Sequence, residues 1–326
     1  MAKHNNSNIC IVAGHSGGHI LPCITIANKN YPDAQKNFIT TNNGFDKKII
    51  TQATIHNSIL ELNTKKIPNK FYQLPAFSIK IFLDFINAIK FLNKTKPKAI
   101  ITTGGLIAIP VCLAAKLLRI KAEIYELNVE PGKAIKFLAN FFHDIKVCFP
   151  QTSKYFPKNT CTTVSYPVRF SASCIVTKDI ALKNLNLDIN KKTIFVLGGS
   201  QGSVSLNLAF KKFIESNAEN NLQVIHQIGI NDSFDWQDFY SKRQIPAITF
   251  SYNSKIEDFY QAADLIICRA GAGTLAEVAF FNKKCLAVPL ETGYTKHQIY
   301  NALAISDLNP NIVCVKQSDL NISEHL

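Results

Sequence analysis

The chain has 326 residues, 47% of them hydrophobic and 18% charged, and a length of this order predicts two globular domains. Its formal net charge is +13, which indicates either a biased composition or a face that binds anionic lipid or nucleic acid. No apolar run reaches the length of about 18 residues that crosses a bilayer, and the first residues lack the apolar core of a secretory signal. We therefore expect a cytoplasmic protein rather than a secreted or membrane-spanning one.

The cysteines argue against a disulfide framework. There are nine, they are scattered through apolar segments, and no two are spaced as C-x-x-C. Disulfide frameworks and zinc sites both require clustered cysteines. These cysteines therefore predict small buried side chains in a reducing compartment.

Short apolar segments alternate with amphipathic helical patterns along most of the chain. Fully apolar strands separated by helices are typical of a parallel sheet covered on both faces. The predicted strands are 8–13, 98–103, 121–127, 145–149, 193–199, 222–229, 264–271 and 284–290. The pattern predicts an α/β protein, with helices at 20–28 and 110–119.

The alternation stops between residues 150 and 192, where prolines recur and no alternation of strands and helices is evident. It restarts at residue 193 with a new strand, a new glycine turn and a new helix. We therefore predict two Rossmann-like domains, 1–166 and 167–326, whose parallel sheets face each other across a cleft.

The first predicted strand ends in a turn that contains Gly14, Gly17 and Gly18 and opens a helix. Such a turn presents backbone N–H groups and the positive end of the helix dipole to an anion. The spacing differs from the dinucleotide fingerprint G-x-G-x-x-G. His19 lies at the predicted helix start, where the neutral imidazole that a general base needs is favoured. The alternative is a histidine near the cap with no catalytic role.

The second glycine turn, at residues 198–207, carries Ser200 and Gln201 beside its backbone amides. Their side chains add hydrogen-bond donors that suit a diphosphate or a sugar. An ordinary turn between a strand and a helix is the alternative interpretation.

The third turn lies within residues 268–281, where Gly271 to Thr274 offer amides at a predicted helix start. Glu277 is predicted inside the first helical turn. There its carboxylate either accepts the two hydroxyls of a ribose or only complements the helix dipole.

Further polar side chains follow predicted strand ends: Glu126, Asn128, His297 and Gln298. Ligands of open α/β sheets bind beyond the carboxyl ends of the strands, so these residues are candidates to bind a polyol. For each of them taken alone a surface loop is the favoured interpretation, and their shared position at strand ends is the stronger signal.

The sequence contains no D-x-D pair, no H-E-x-x-H and no Walker loop. Enzymes of sugar nucleotides that hold a divalent cation require carboxylates of this kind. We therefore expect a metal-independent reaction in which helix N-termini stabilise a leaving diphosphate.

Residues 77–98 form an amphipathic pattern with a basic flank. Apolar residues recur at helical spacing at Ile79, Phe82, Phe85 (or Ile86) and Ile89, and lysines occur at 80, 90, 94, 96 and 98. This composition is typical of a helix in a membrane interface, of a core helix with solvated lysines, or of a state between the two.

Together the motifs resemble the MurG family of peptidoglycan N-acetylglucosaminyltransferases, which have the GT-B fold. The motifs, in order, are G-x-x-G-G-H (14–19), T-G-G (103–105), E-x-N (126–128), P-V-R (167–169), G-G-S-Q-G (198–202), H-Q-x-G (226–229), C-R-x-G-A-x-T-x-x-E (268–277) and H-Q-x-x-N-A (297–302). The resemblance implies inverting, metal-independent transfer of GlcNAc from UDP-GlcNAc to the C4 hydroxyl of the muramoyl sugar of lipid I, forming lipid II. It also implies a peripheral enzyme on the cytoplasmic face of the inner membrane, which residues 77–98 would contact.

The resemblance also implies roles for individual residues. His19 would be the general base. The implied substrate-binding residues are Ser16, Gly17 and Gly18 at the donor and acceptor diphosphates, Asn128 at the donor sugar, Arg169 and Ser200 at the donor, Asn253 beside the uracil, Ala272, Gly273, Thr274, Leu275, Ala276 and Glu277 at the diphosphate and ribose, and Gln298 at the GlcNAc hydroxyls.

The chain departs from the family pattern at Leu106, Leu127, Tyr166 and Lys296, and it ends at Leu326 where relatives continue. Two alternatives therefore stay open: a GT-B transferase with another lipid-linked acceptor, and a catalytically weakened protein of cell-wall assembly that binds a sugar nucleotide. A nucleic-acid partner is not expected, because only the net charge suggests one and no binding motif accompanies it.

Overall fold

A computed structural model of the protein describes residues 8–14, 17–53, 56–64, 68, 70–199, 202–216, 221–253, 255–290 and 297–325. The chain divides into two compact units, Met1–Arg169 and Phe170–Leu326, called here the N-terminal and C-terminal units. This boundary follows Arg169, whereas the predicted one follows Tyr166. Each unit contains one parallel sheet with helices.

The N-terminal unit is built on seven parallel strands. In chain order they are β1 (Asn8–Val12), β2 (Gln35–Thr41), β3 (Ser58–Leu62), β4 (Ala99–Thr102), β5 (Lys121–Glu126), β6 (Asp144–Val147) and β7 (Thr160–Thr163). Its helices are α1 (Gly17–Asn30), α2 (Gly44–Ala53), α3 (Leu74–Thr95), α4 (Ala108–Leu117) and α5 (Lys133–Leu138). The strand order in the sheet is β3-β2-β1-β4-β5-β6-β7.

The C-terminal unit repeats this architecture with six parallel strands. They are β8 (Lys192–Leu197), β9 (Leu222–Gln227), β10 (Ala247–Phe250), β11 (Leu265–Arg269), β12 (Cys285–Val288) and β13 (Ile312–Cys314), in the order β10-β9-β8-β11-β12-β13. The helices are α6 (Lys178–Asn184), α7 (Val204–Ser216), α8 (Trp236–Ser241), α9 (Glu257–Ala262), α10 (Ala272–Phe280) and α11 (His297–Ser306).

The central strands are apolar because they are buried on both faces. In β1, Val12 is paired with Ile39 of β2 on one side and with Thr102 of β4 on the other. The last four residues of β1 are fully buried, and β8 and β11 are equally buried at the centre of the second sheet. Burial on two faces removes the period-2 alternation, which is why these strands read as continuous apolar runs.

Two predictions about chain organisation are wrong. Residues 150–192 do contain regular structure, since β7 and α6 lie there. The sequence of β7, Thr160-Cys161-Thr162-Thr163, is mostly polar because this strand lies at the edge of the sheet and is largely exposed. The first helix begins at Gly17 rather than at residue 20, so Pro22 lies inside it.

The two halves of helix α3 differ in burial. Asp84, Ala88 and Leu92 are buried at four-residue spacing, so the second half of the helix packs on the core. In the first half, Ile79 and Phe82 are each 61% exposed. The helix is therefore neither a simple core helix nor a fully exposed one. Within the described ranges, no helix combines the length and the apolar character needed to cross a membrane.

Candidate active site

In each unit all strands are parallel, so their carboxyl ends share one edge of the sheet. In the N-terminal unit this edge brings α1 and the segment after β4 together. His19 is the third residue of α1 and is half-buried, and Thr103 follows β4 directly. His19 Nδ1 lies 3.1 Å from Thr103 Oγ1.

The hydroxyl of Thr103 fixes which nitrogen of His19 carries the proton. This hydroxyl donates to the carbonyl oxygen of His19 at 3.2 Å, so its single proton is used. Its oxygen therefore accepts from the Nδ1–H of His19, and also from the thiol of Cys23 at 3.5 Å. The proton of the neutral imidazole then lies on Nδ1, and Nε2 carries the lone pair that can accept a proton.

Gly14 is required by packing. A Cβ on Gly14 would lie 2.8 Å from Cγ2 and 3.1 Å from the backbone N of Thr41 in β2, so β2 or the turn would have to shift to accept it. Thr41 is in turn held by a hydrogen bond from its hydroxyl to Asp46. In the same turn Gly17 is buried and Gly18 is exposed, whereas Ser16 lies outside the described residues.

Glu126 shapes the loop that carries Asn128. Its Oε1 accepts the backbone N–H and the side-chain amide of Asn128 at 2.9 and 3.0 Å, and its Oε2 accepts the N–H of Gly132 at 2.9 Å. Glu126 is only 1% exposed, so its carboxylate supports the loop. The sequence-based prediction that Glu126 binds a polyol is therefore wrong. Burial outweighs these bonds and raises the pKa of Glu126 to about 7.

At the carboxyl edge of the C-terminal unit, two glycine turns touch through their backbones. A Cβ on Gly202 would lie 2.5 Å from Cα of Gly229, and both residues have positive φ, +77° and +85°. The turn after β8 is thereby locked against the turn after β9. Ser200 and Gln201, the polar residues predicted to bind at this turn, lie outside the described residues.

Arg269 ties several loops at this edge together and was not identified as a site residue from the sequence. It ends β11, is 5% exposed, and donates to Ser203 Oγ, Ser205 Oγ and Gln317 Oε1 at 2.6–2.8 Å. It also donates to backbone oxygens at the end of β12. Its hydrogen-bond partners among the described residues are all neutral, so no carboxylate among them compensates its positive charge. Burial lowers its pKa from the ordinary value.

The third turn opens α10, with Gly271 as its N-cap. Glu277 is the sixth residue of this helix, so its prediction as an acid of the first turn is wrong. It is half-exposed, and its Oε2 accepts the hydroxyl of Tyr260 at 2.7 Å. Ala272, Leu275 and Ala276 are buried, so only their backbones can reach a ligand, whereas Gly273 and Thr274 are half-exposed.

The other residues predicted to bind the donor lie in three different segments of the chain: Gln298, Asn253 and Arg169. Gln298 lies at the start of α11, and its Oε1 accepts the N–H of Leu290 at 2.9 Å, which ties α11 to the end of β12. The Oδ1 of Asn253, after β10, accepts the N–H of Lys255 at 2.9 Å. Arg169 is the half-exposed last residue of the N-terminal unit.

A protein site for a metal ion requires several ligating side chains in one place. Among the residues that the structure describes, no group of three or more His, Cys, Asp or Glu side chains could hold a metal ion.

Two parallel α/β units with glycine turns at their carboxyl edges are typical of the GT-B fold of glycosyltransferases. The crystal structure of Acinetobacter baumannii MurG matches with a TM-score of 0.69 over 98% of this chain and 88% of that one, at 21% identity. Models of the glycosyltransferase family 28 N-terminal and C-terminal domains match residues 9–147 and 193–325. The chain belongs to glycosyltransferase family 28, which confirms the family resemblance and the α/β GT-B prediction.

Individual relatives agree with this assignment. A protein of Thermoanaerobacter sp. (strain X514) is 31% identical over 93% of this chain and 85% of its own length. Another, from Bacillus pumilus (strain SAFR-032), is 29% identical over 96% of this chain and 86% of its own length. Both are named UDP-N-acetylglucosamine–N-acetylmuramyl-(pentapeptide) pyrophosphoryl-undecaprenol N-acetylglucosamine transferase.

Proposed function

We propose that the protein transfers GlcNAc from UDP-GlcNAc to the C4 hydroxyl of the N-acetylmuramoyl sugar of lipid I, with inversion, and so forms lipid II. The names of its relatives support this reaction across more than nine-tenths of the chain. The observation that supports the proposal is the hydrogen-bonded pair of His19 and Thr103, which holds an imidazole in one orientation at the carboxyl edge of the first sheet.

His19 is the proposed general base. Its Nε2 removes the proton of the C4 hydroxyl while that oxygen attacks the anomeric carbon of GlcNAc. The bond between the anomeric carbon and the diphosphate breaks, and its electron pair leaves with UDP. Thr103 is a positioning residue in this step, because its hydroxyl keeps the proton of the resting imidazole on Nδ1.

The C-terminal unit is proposed to bind the donor. The N-terminus of α10, from Ala272 to Ala276, binds the diphosphate through backbone N–H groups, and Glu277 accepts the ribose hydroxyls. Arg269 stabilises the departing negative charge from behind the turns. The other proposed donor contacts are Asn128, Arg169, Ser200, Asn253 and Gln298, with Ser16, Gly17 and Gly18 at the diphosphates.

We propose that these groups suffice without a metal ion. Helix N-termini and a buried guanidinium supply positive potential where charge develops, which is the part a divalent cation plays in other transferases. Transfer should therefore continue at an undiminished rate in excess EDTA.

The exposed half of α3 is proposed to dock on the cytoplasmic face of an anionic inner membrane. Beside Ile79 and Phe82, Leu83 is 53% exposed, and an apolar groove of about 390 Å³ runs between α3 and α4. The groove is lined by Phe77, Ser78, Ile81, Phe82, Phe85, Pro110 and Leu113. The one acid of α3, Asp84, is buried and accepts the hydroxyl of Thr64 at 2.6 Å, so the exposed face carries lysine charge alone. Exposed apolar side chains with Lys80 among them, and with the exposed Lys90 and Lys94 further along the helix, suit an anionic bilayer surface.

A transfer assay tests the proposed reaction directly. Purified protein is given radiolabelled UDP-GlcNAc and a lipid I analogue, and labelled lipid II is separated and counted. The proposal expects label in the disaccharide product and loss of the signal in the His19→Ala variant. Binding of UDP-GlcNAc without transfer to lipid I would reject this acceptor and favour a different lipid-linked one.

A further inference from the structure

Tyr260 and Glu277 form a hydrogen-bonded pair between two helices that flank β11. The phenolic hydroxyl of Tyr260, on α9, donates to Oε2 of Glu277, on α10, at 2.7 Å. Tyr260 is fully buried, whereas Glu277 is half-exposed. The donor therefore belongs to the core of the C-terminal unit, and the acceptor reaches its surface.

The ring of Tyr260 is held firmly by other aromatic rings. It stacks on Phe281, with the centroids 5.2 Å apart and the planes 16° apart. Phe195 and Phe170 approach it edge-on, at 5.4 and 6.0 Å. Close-packed aromatic contacts of this kind leave one ring orientation, so the position of the hydroxyl is fixed as well.

A fixed donor restricts the carboxylate that accepts from it. A glutamate on a helix surface otherwise samples several rotamers, and ordering it on ligand binding costs free energy. The bond from Tyr260 orders the carboxylate beforehand and occupies one of its roughly four acceptor positions. Because a carboxylate accepts up to about four hydrogen bonds, donation from Tyr260 is compatible with donation from sugar hydroxyls.

We infer that Tyr260 is a positioning residue that holds Glu277 in the orientation in which it accepts the ribose hydroxyls, and that the pair selects ribonucleotide over deoxyribonucleotide donors. The inference rests on the proposed function, because it takes Glu277 as the ribose-binding residue. It adds the group that makes this carboxylate selective.

The variant Tyr260→Phe tests the inference, because it removes the hydroxyl and keeps the ring. Tyr240→Phe is a matched control in the same unit. Tyr240 is also buried, and its hydroxyl is 2.9 Å from Nδ1 of His226 rather than at a carboxylate. Both variants lose one buried hydroxyl, so a loss of stability alone should affect both of them.

Two quantities are measured: kcat and KM for UDP-GlcNAc in the transfer assay, and the affinities of UDP and 2′-deoxy-UDP by calorimetry. We expect Tyr260→Phe to raise KM about 3- to 10-fold with little change in kcat, and to reduce the preference for UDP by a similar factor. Glu277→Ala should abolish most of that preference. Tyr240→Phe should leave both quantities unchanged.

The outcomes separate the inference from the proposed function. If Glu277→Ala removes the preference for UDP but Tyr260→Phe keeps it and only lowers the melting temperature, Tyr260 is structural and the inference is wrong. If Glu277→Ala leaves the preference intact, the assignment of Glu277 to the ribose fails, and the inference fails with it. A wild-type protein that does not bind UDP contradicts the proposed donor.

Discussion

His19 and His226 occupy opposite kinds of environment in the two units, although both belong to motifs near a strand end. His19 is half-buried, with Nδ1 on the hydroxyl of Thr103. His226 is fully buried in β9, with Nδ1 at 2.9 Å from the hydroxyl of Tyr240 and Nε2 at 3.1 Å from Oδ1 of Asn207. Burial lowers the pKa of His226 to about 3.

The environment of His226 shows that a histidine within a sequence motif is not necessarily a general base. Both nitrogens of His226 are engaged, and the amide of Asn207 also donates to Asp232 and to the carbonyl of Ile228. That network fixes the loop after β9, and burial keeps the imidazole neutral. His19 differs in that its ring is half-buried and its Nδ1 lies against the hydroxyl of Thr103 at the carboxyl edge of the first sheet.

The largest expected effect is on turnover. His19→Ala should reduce kcat by a factor of about 10² or more and leave the affinity for UDP-GlcNAc nearly unchanged, because a base acts in the transition state. His143→Ala, an exposed histidine of the same unit, is the control and should retain full turnover. Near-normal kcat for His19→Ala would contradict the assignment of His19 as the base, because His19 would then be as inert as His226.

The second expected effect is on acid stability of the C-terminal unit. His226 has a pKa near 3 when folded and about 6.5 when unfolded, so its contribution is complete above pH 6.5 and is lost as the pH falls. By pH 4.5 the loss is about 3 kcal/mol. His226→Gln should lack this part of the pH dependence.

Trp236 provides the measurement for this second effect. It is the single tryptophan of the chain, and its ring lies 4.6 Å from that of His226. Its fluorescence during urea unfolding therefore reports on the C-terminal unit. Equal pH dependence of the unfolding free energy in wild type and His226→Gln would contradict the assignment of a buried neutral imidazole.

The third effect has the opposite sign and belongs to the N-terminal unit. The pKa of Glu126 is raised to about 7 by burial, so its contribution to stability is complete below the ordinary pKa near 4.5 and is lost as the pH rises through 7. Between pH 5 and 7 the wild type should lose about 2 kcal/mol relative to Glu126→Gln. Calorimetric melting at several pH values measures this difference, and an unchanged difference across that range would refute it.

The smallest effect concerns the apolar surface, which also differs between the units. Phe82→Asp should weaken binding to vesicles of phosphatidylethanolamine and phosphatidylglycerol about 10-fold, because a large apolar side chain no longer enters the interface. Leu308 in the C-terminal unit is 80% exposed, so Leu308→Asp is the matched control and should bind as the wild type does. Co-sedimentation measures both variants, and equal losses would show that net charge alone drives the association.

Sequence patterns predicted the centres of the fold better than its edges. Strands β1, β4, β8 and β11 are buried on both faces and therefore read as apolar runs. Edge strands such as β7 and short ones such as β13 lack that signal, and β2, β3 and β10 were also missed. The amphipathic pattern of α3 was visible, but periodicity alone does not tell a core face from a membrane face.

The site was predicted in part for the same reason. The glycine turns and His19 can be recognised from their spacing in the sequence. The residues that hydrogen-bond to the predicted site residues cannot, because they are distant along the chain. Thr103 lies 84 residues from His19 along the chain, and Tyr260 lies 17 residues from Glu277 on another helix. Only the folded chain brings such pairs together. Arg269 belongs to the motif at residues 268–277, yet nothing in the sequence indicates that it is buried among neutral partners.

Gly202 and Gly229 also constrain how this chain can change. Their backbones touch where a Cβ would need space, and their positive φ angles strain any L side chain. A larger residue at one position cannot be accommodated by a smaller one at the other, because both positions already carry glycine. A library randomised at both positions and selected for folding would return glycine at each, whereas Gly44, where a Cβ would meet nothing within 4 Å, would accept other residues. The carboxyl edge of the second sheet therefore contains two adjacent positions at which only glycine is accepted.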